Sequence, residues 1–222
     1  MDAGRAARWR QLALQLNDAA AGGEPTERLL EVAAIVSEAV QDLGVEPIVV
    51  GGLALAHWTD SSFLTADIDV VIGRPAELSQ RLEALGFRRL GREWVLGDHE
   101  LSLEAPGERL EPGETAVRVT LPSGRTVLVL SAEDLLLWRV REWIHWRSIS
   151  GFRQAAYLLY SDVVDITRLE VRSVEEGLTL ALAALRRTAA EVEAGRAVEP
   201  WELEEIAKHV ERESYRGGCG DG

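Results

Sequence analysis

Ile48-Val49-Val50-Gly51-Gly52-Leu53-Ala54-Leu55-Ala56 and, after a short gap, Thr65-Ala66-Asp67-Ile68-Asp69-Val70-Val71-Ile72 are the stretches that decide the fold. An apolar run stops at a glycine pair and a helix-like segment follows. Two carboxylates then interrupt a second apolar run. Alternation along a strand sends Asp67, Asp69 and Val71 to one face and Ile68, Val70 and Ile72 to the other. Acids at i and i+2 of a strand lie about 6–7 Å apart at their Cα atoms. Such a pair repels itself unless a cation or solvent lies between the carboxylates. A glycine-ended strand that feeds a helix start is a seat for phosphate. A phosphate cradle beside metal-binding acids points to nucleotide chemistry.

Working outward, residues 6–21 carry Trp9, Leu12, Leu14 and Leu16 among polar neighbours and read as an amphipathic helix ending at Gly22-Gly23. Thr26 is positioned to cap a second helix that Gly44 ends. Strands are expected over 48–50 and 67–72, with a short helix over 53–58 between them. Pro75 opens a third helix, closed by Gly86. A β-rich stretch follows, with strand candidates at 87–90, 93–96, 100–104, 116–121 and 126–130, and Ala105-Pro106-Gly107 as a turn. Pro122-Ser123-Gly124 reads as a hairpin turn. Ser131-Ala132-Glu133-Asp134 reads as a capping box for a long helix. The remainder is mostly helical, with 174–194 and 202–212 as helices. This order is α+β rather than doubly wound. The expected organisation is N-terminal helices over 1–45, an α/β core over 46–131, a helical region over 132–216 and a flexible tail over 217–222.

Lys and Arg number 24 against 37 Asp and Glu, a net charge of −13. That balance counts against broad nucleic-acid binding, which needs a basic footprint. It suits a nucleotide arriving as a metal complex. Apolar runs such as Leu135-Leu136-Leu137-Trp138 are too short to span a membrane, and the N-terminus has no apolar signal region. A single cysteine, Cys219, excludes a disulfide framework and makes a cytoplasmic location the expectation. His57, His99, His145 and His209 lack metal-ligand spacing.

Gly51-Gly52 followed by Thr65-Ala66-Asp67-Ile68-Asp69 resembles the signature of the DNA polymerase β-like nucleotidyltransferase superfamily. Within it the chain is most similar to bacterial proteins of the minimal nucleotidyltransferase and AbiE-type toxin groups, over roughly residues 46 to 140. The resemblance implies a small mixed sheet carrying the site, backed by helices. It implies that Asp67 and Asp69 hold one or two magnesium ions and that Gly51 and Gly52 seat the triphosphate of a nucleoside triphosphate substrate. It also implies a third carboxylate on a neighbouring strand, the candidate general base. Glu104 is the choice, because Leu101-Ser102-Leu103-Glu104 alternates and sends Ser102 and Glu104 to one face; Asp98 and Glu100 are runners-up. Thr65 and Arg153 are candidate phosphate contacts by the same resemblance. A toxin-like protein would have a cognate antitoxin as partner.

Plainer readings compete. The glycine pair also serves a tight strand-to-helix turn. Acids on an edge strand blunt aggregation, although Asp is a poor strand former and two of them interrupt a Val/Ile run. Phe87-Arg88-Arg89-Leu90-Gly91-Arg92 is a cluster of cations in an acidic chain. Trp138, Arg139, Arg141, Trp143, His145, Trp146 and Arg147 interleave rings and charges, which reads either as a polynucleotide groove or as a helix with core tryptophans and solvated arginines. The favoured function is nucleotidyl transfer to an RNA end, a protein or a small molecule. The alternative is a catalytically silent fold that binds a nucleotide or a partner.

Overall fold

The structure, a computed structural model, describes residues 3–73, 77–97, 99 and 101–217. The chain divides into two compact units, Met1–Ser131 and Ala132–Gly222. Asp98, Glu100, Pro75 and Cys219 lie outside the described residues.

The first unit opens with helices α1 (Ala3–Ala21) and α2 (Pro25–Val40). Leu29, Leu30, Val32, Ile35, Val36 and Val40 of α2 are all buried, as the helical spacing requires. The helix starts one residue before the expected cap. Glu24 is the N-cap and Pro25 stands in the first turn, where proline's missing N–H costs nothing. Thr26 instead turns inward, and its hydroxyl shares a 2.8 Å hydrogen bond with that of Ser61.

The strands are β1 (Ile48–Val49), β2 (Asp67–Val71), β3 (Arg88–Leu90), β4 (Glu93–Leu96), β5 (Leu101–Gly107), β6 (Ala116–Thr120) and β7 (Thr126–Leu130), with α3 (Gly51–Trp58) after β1 and α4 (Leu78–Ala84) after β2. They form one sheet in the order β3-β4-β5-β2-β1-β7-β6. β1 pairs antiparallel with β2 and parallel with β7, and β2 pairs parallel with β5. The fold is therefore a mixed α+β sheet backed by helices. Ala105, Pro106 and Gly107 are not a turn: β5 runs through them, because Ile72 donates its N–H to the Gly107 carbonyl at 3.1 Å and keeps the ladder going.

One face of the sheet is apolar. Val49, Val70 and Val129 are register neighbours across β1, β2 and β7, and all are buried, with α2 packed on β2 and β7. Burying three such side chains stabilises by roughly 1.5–3 kcal/mol each. The β6–β7 turn closes at Gly124, whose φ of +84 suits glycine. From that turn Arg125 reaches back to Glu31, Glu38 and Gln15, tying the hairpin to α1 and α2.

The second unit is helical: α5 (Ala132–Trp146), α6 (Ile149–Leu159), α7 (Ile166–Glu175), α8 (Thr179–Glu193) and α9 (Pro200–Gly217). The helix expected over 174–194 is broken, because Gly177 takes a φ of +66 and separates α7 from α8. Trp143 is fully buried, edge-on to Phe152, and donates its indole N–H to the Leu203 carbonyl at 3.0 Å. Asp134 is 1% exposed and pairs with Arg172 at 2.9 Å and Arg168 at 2.6 Å. Among the described residues no helix is long and apolar enough to cross a membrane.

Candidate active site

β2 carries the two acids in an exposed, buried, half-buried, buried, buried pattern from Asp67 to Val71. Ile68 and Val70 are wholly buried beneath the sheet, so the pleat sends Asp67 and Asp69 to the opposite face. Asp67 is fixed from two directions. Its Oδ1 accepts from the Ser102 hydroxyl at 2.8 Å, and its backbone N–H donates to Oγ1 of Thr65 at 3.2 Å.

The glycine pair is in contact with these residues. Val50 is extended and donates its N–H to the Asp69 carbonyl at 2.9 Å. Gly51 then takes a φ of +62, in the left-handed region that glycine enters freely, and α3 begins there rather than at the expected Leu53. A Cβ on Gly51 would overlap Oδ2 of Asp69 and lie 2.9 Å from its Cγ. A Cβ on Gly52 would lie 3.0 Å from Oγ1 of Thr65. The pair therefore clears space for the acid and the hydroxyl. The first amides of a helix have no intrahelical acceptor and carry partial positive charge. Those of α3 begin beside Asp69.

Glu104 lies on β5 as the direct register partner of Asp69, and Ser102 is the partner of Asp67. Register partners on neighbouring strands are about 4.8 Å apart and project from the same face. Leu101 and Leu103 between them are buried. The three acids are thus neighbours on one face across β2 and β5. Among the described residues, however, no three His, Cys, Asp or Glu side chains are gathered closely enough to hold a metal ion as they stand. The donor set still fits magnesium. It is all carboxylate oxygen, half-exposed or exposed, and two members share one strand face.

Arg153 lies in the second unit, exposed on α6; the site above is built without it. The cations of α5, and Arg147 just after it, are committed to ion pairs. Arg139 pairs with Glu142, Arg141 with Glu176 and Arg147 with Glu211. Trp143 is in the core as the plain helical reading has it, but Trp146 is 75% exposed and the arginines are ion-paired rather than solvated, Arg139 being buried. His57 on α3 is half-buried, and burial holds its imidazole below the ordinary pKa.

Two features escaped the sequence reading. Ser102 holds Asp67, and its signal was its position two residues before Glu104 on the same strand. Beside Glu104, a pocket of about 430 Å³ is lined by Arg89, Arg92, Trp94 and Ser79. A larger one of about 630 Å³ lies away from the acids, between the end of α2 and the β6–β7 turn. Its charges are already paired, Arg118 with Glu46 and Arg125 with Glu38.

No family model matches the chain, and no curated protein matches it. Two solved structures are similar to it. One is an antigenic nucleotidyltransferase-like protein from Paracoccidioides brasiliensis, 14% identical, with a TM-score of 0.52, covering 75% of this chain and 90% of that one. The other is the antibiotic-resistance factor ANT(2'')-Ia, 19% identical, with a TM-score of 0.47, covering 78% of this chain and 98% of that one. The first likeness shows a nucleotidyltransferase-like fold.

Proposed function

We propose that the chain is a metal-dependent nucleotidyltransferase that moves a nucleoside monophosphate from a nucleoside triphosphate to a hydroxyl acceptor. The observation that carries this reading is the contact between Gly51 and Asp69. A left-handed glycine opens α3 where any side chain would displace the second acid. A strand-to-helix turn alone would require the glycine and would not require a carboxylate against it.

Asp67 and Asp69 are the residues that would hold magnesium, which when bound neutralises phosphate charge and polarises the reacting phosphoryl group. The protein's own groups do the rest. The first amides of α3 at Gly51 and Gly52 bind triphosphate oxygens. Ser102 holds the Asp67 carboxylate in place. The acceptor oxygen attacks the α-phosphorus, a new P–O bond forms there, and the bond to pyrophosphate breaks on the opposite side. The acceptor's proton goes to the Glu104 carboxylate. Arg153 is a candidate triphosphate contact, and a cognate antitoxin is the partner to seek if the toxin-like resemblance extends to biology.

The test is calorimetric titration of the four nucleoside triphosphates, with and without magnesium, against wild type and Asp69→Asn. Magnesium-dependent binding that the variant loses is the expected result. A folded protein that binds no triphosphate would overturn the proposal.

A second reading is a silent nucleotide-binding module. It is favoured by one observation: among the described residues no three His, Cys, Asp or Glu side chains are gathered closely enough to hold a metal ion. With Glu104 apart from the pair, two acids remain to bind a metal nucleotide and none to take the proton. Binding without release of pyrophosphate, across a panel of acceptors, would select this reading.

A further inference from the structure

We propose that the pocket between the β3–β4 hairpin and the start of α4 binds a small phosphate monoester, at a site separate from the acids. The proposal goes beyond the nucleotidyl-transfer reading and does not depend on it.

Register sets the two faces apart. Trp94 pairs with Arg89 on β3 and with Leu103 on β5, and Leu103 pairs with Ile68 on β2. Register partners project from one face, so Arg89 and Trp94 stand on the side of Ile68. Leu78 and Ser79 of α4, which packs on β3, line the same pocket. Asp67, Asp69 and Glu104 project from the other side. Glu104 borders the pocket through the strand it sits on, since alternation along β5 keeps its carboxylate on the side of Asp69. The sheet therefore divides this pocket from a triphosphate held against Asp69.

The walls set the charge of the ligand. Arg89 and Arg92 line the pocket, both exposed, and neither forms an ion pair among the described residues. Elsewhere in the same unit Arg81 pairs with Asp42, Arg118 with Glu46, and Arg125 with Glu31 and Glu38. In a chain of net charge −13, two such guanidiniums around one concavity stand apart. Arg89 donates its Nε–H to the Gly91 carbonyl at 3.3 Å, which leaves its two terminal nitrogens for a ligand. Guanidinium groups match phosphate oxygens through paired N–H donors. A phosphate monoester brings a charge of about −1.5 to −2 at pH 7, whereas a carboxylate brings one negative charge to two cations.

Trp94 is an independent pointer. It is 5% exposed and lies beneath Arg89, with the guanidinium 5.5 Å from its ring centroid. Its buried indole N–H has no acceptor among the described residues, a rare state for a donor. A phosphate that draws Arg89 off the ring leaves a further oxygen for that N–H.

Size narrows the class. About 430 Å³ is within the range of small-molecule sites, about 300–1,000 Å³, so the pocket has room for a short carbon chain beside the phosphate. A polynucleotide would call for a longer basic track. Arg88 does not extend this one, because it pairs with Val95 and projects from the face of the acids.

The test needs neither triphosphate nor magnesium. The Trp94 indole N–H resonance, identified with Trp94→Phe, is followed in 15N-labelled protein during titration with glycerol 3-phosphate. A saturable shift is expected in wild type, with the same affinity in Asp69→Asn and Arg88→Gln. Binding should weaken at least tenfold in Arg92→Gln, a substitution at the exposed turn, and further when Arg89→Gln is added. Lactate should bind at least tenfold more weakly than glycerol 3-phosphate, and inorganic phosphate should also bind more weakly because it leaves the rest of the pocket empty. No saturable shift, or an affinity unmoved in Arg92→Gln, would overturn the proposal. Equal affinity for lactate or for inorganic phosphate would overturn the monoester assignment. Loss in Arg88→Gln or Asp69→Asn would put the anion on the face of the acids and overturn the separate site. Because the readout uses no triphosphate, its failure is distinguished from a failure of the nucleotidyl-transfer reading.

Discussion

The backbone N–H of Val50 donates to the backbone carbonyl of Asp69 at 2.9 Å, so the residue before the glycine pair and the second acid are locked to each other through main chain. Side-chain variants leave that bond in place. The site's components can therefore be changed one at a time without unpinning β1 from β2.

Gly51→Ala should damage both stability and binding. The left-handed backbone alone costs about 1–2 kcal/mol for a residue with a Cβ. The added carbon also pushes Asp69 out of position. Gly52→Ala should be milder, since Gly52 lacks a positive φ and meets only Thr65 at 3.0 Å. Urea denaturation read beside magnesium-triphosphate calorimetry will rank the two, and equal effects would contradict the assignment of Asp69 to the cradle.

Asp67→Asn and Asp69→Asn should each lower turnover by about 100-fold to 1,000-fold, the range for removing one electrostatic group that faces developing charge. Their stability should stay within about 0.5 kcal/mol of wild type, as for surface substitutions away from packed features. Ser102→Ala should weaken the site by about 1 kcal/mol, the net worth of one hydrogen bond. Pyrophosphate release and thermal melts measure both sides; collapse of the fold in the Asp variants would make the acids structural.

Removing one partner from the buried ion cluster of the second unit should be costly. Asp134→Ala takes one of three carboxylates from Arg172, which is 7% exposed and keeps Glu175 and Glu176, and should lose about 1–3 kcal/mol, less than the ~3–5 kcal/mol of a buried charge left with no partner. Breaking the exposed pair of Arg196 and Glu202 should change stability by less than about 1 kcal/mol. Chemical denaturation of the two variants tests the contrast.

His57 gives the first unit a pH dependence of known sign. Burial lowers its folded pKa below the ordinary 6.5, so in that window the unfolded chain binds the proton more readily than the native one. Stability from this source is whole above about 6.5 and declines as pH falls toward the folded pKa. His57→Gln should flatten that decline in urea midpoints collected between pH ~5 and ~7.5. An unchanged slope would show that His57 titrates alike in both states.

Much of the first unit was legible because period-2 alternation survives intact: Ile68 and Val70 inward with Asp67 and Asp69 outward, then Leu101 and Leu103 inward with Ser102 and Glu104 outward. Register was not legible. That Asp69 should fall beside Glu104 depends on a parallel pairing between strands far apart in sequence, which no local pattern encodes. Thr26 was misplaced because Pro25 outcompetes a threonine cap for the first turn. Ala105-Pro106-Gly107 misled because proline and glycine mark turns on average, whereas here Gly107 supplies a ladder carbonyl. The pocket of Arg89, Arg92 and Trp94 was half legible: the cations and the flanking strands over 87–90 and 93–96 were visible in the sequence, and the seating of Arg89 over Trp94 was not.

β1 has consequences for the order of events during synthesis. Its two neighbours are β2, which follows within one short helix, and β7, whose Leu128 pairs with Ile48. As the chain emerges, Ile48 and Val49 can pair at once on one side, but the other side stays open until β7 has been made. The first unit thus carries an unfilled strand edge through most of its translation, and such edges invite pairing with other chains. Once Leu130 emerges, that edge can close before any of the second unit's helices has been synthesised.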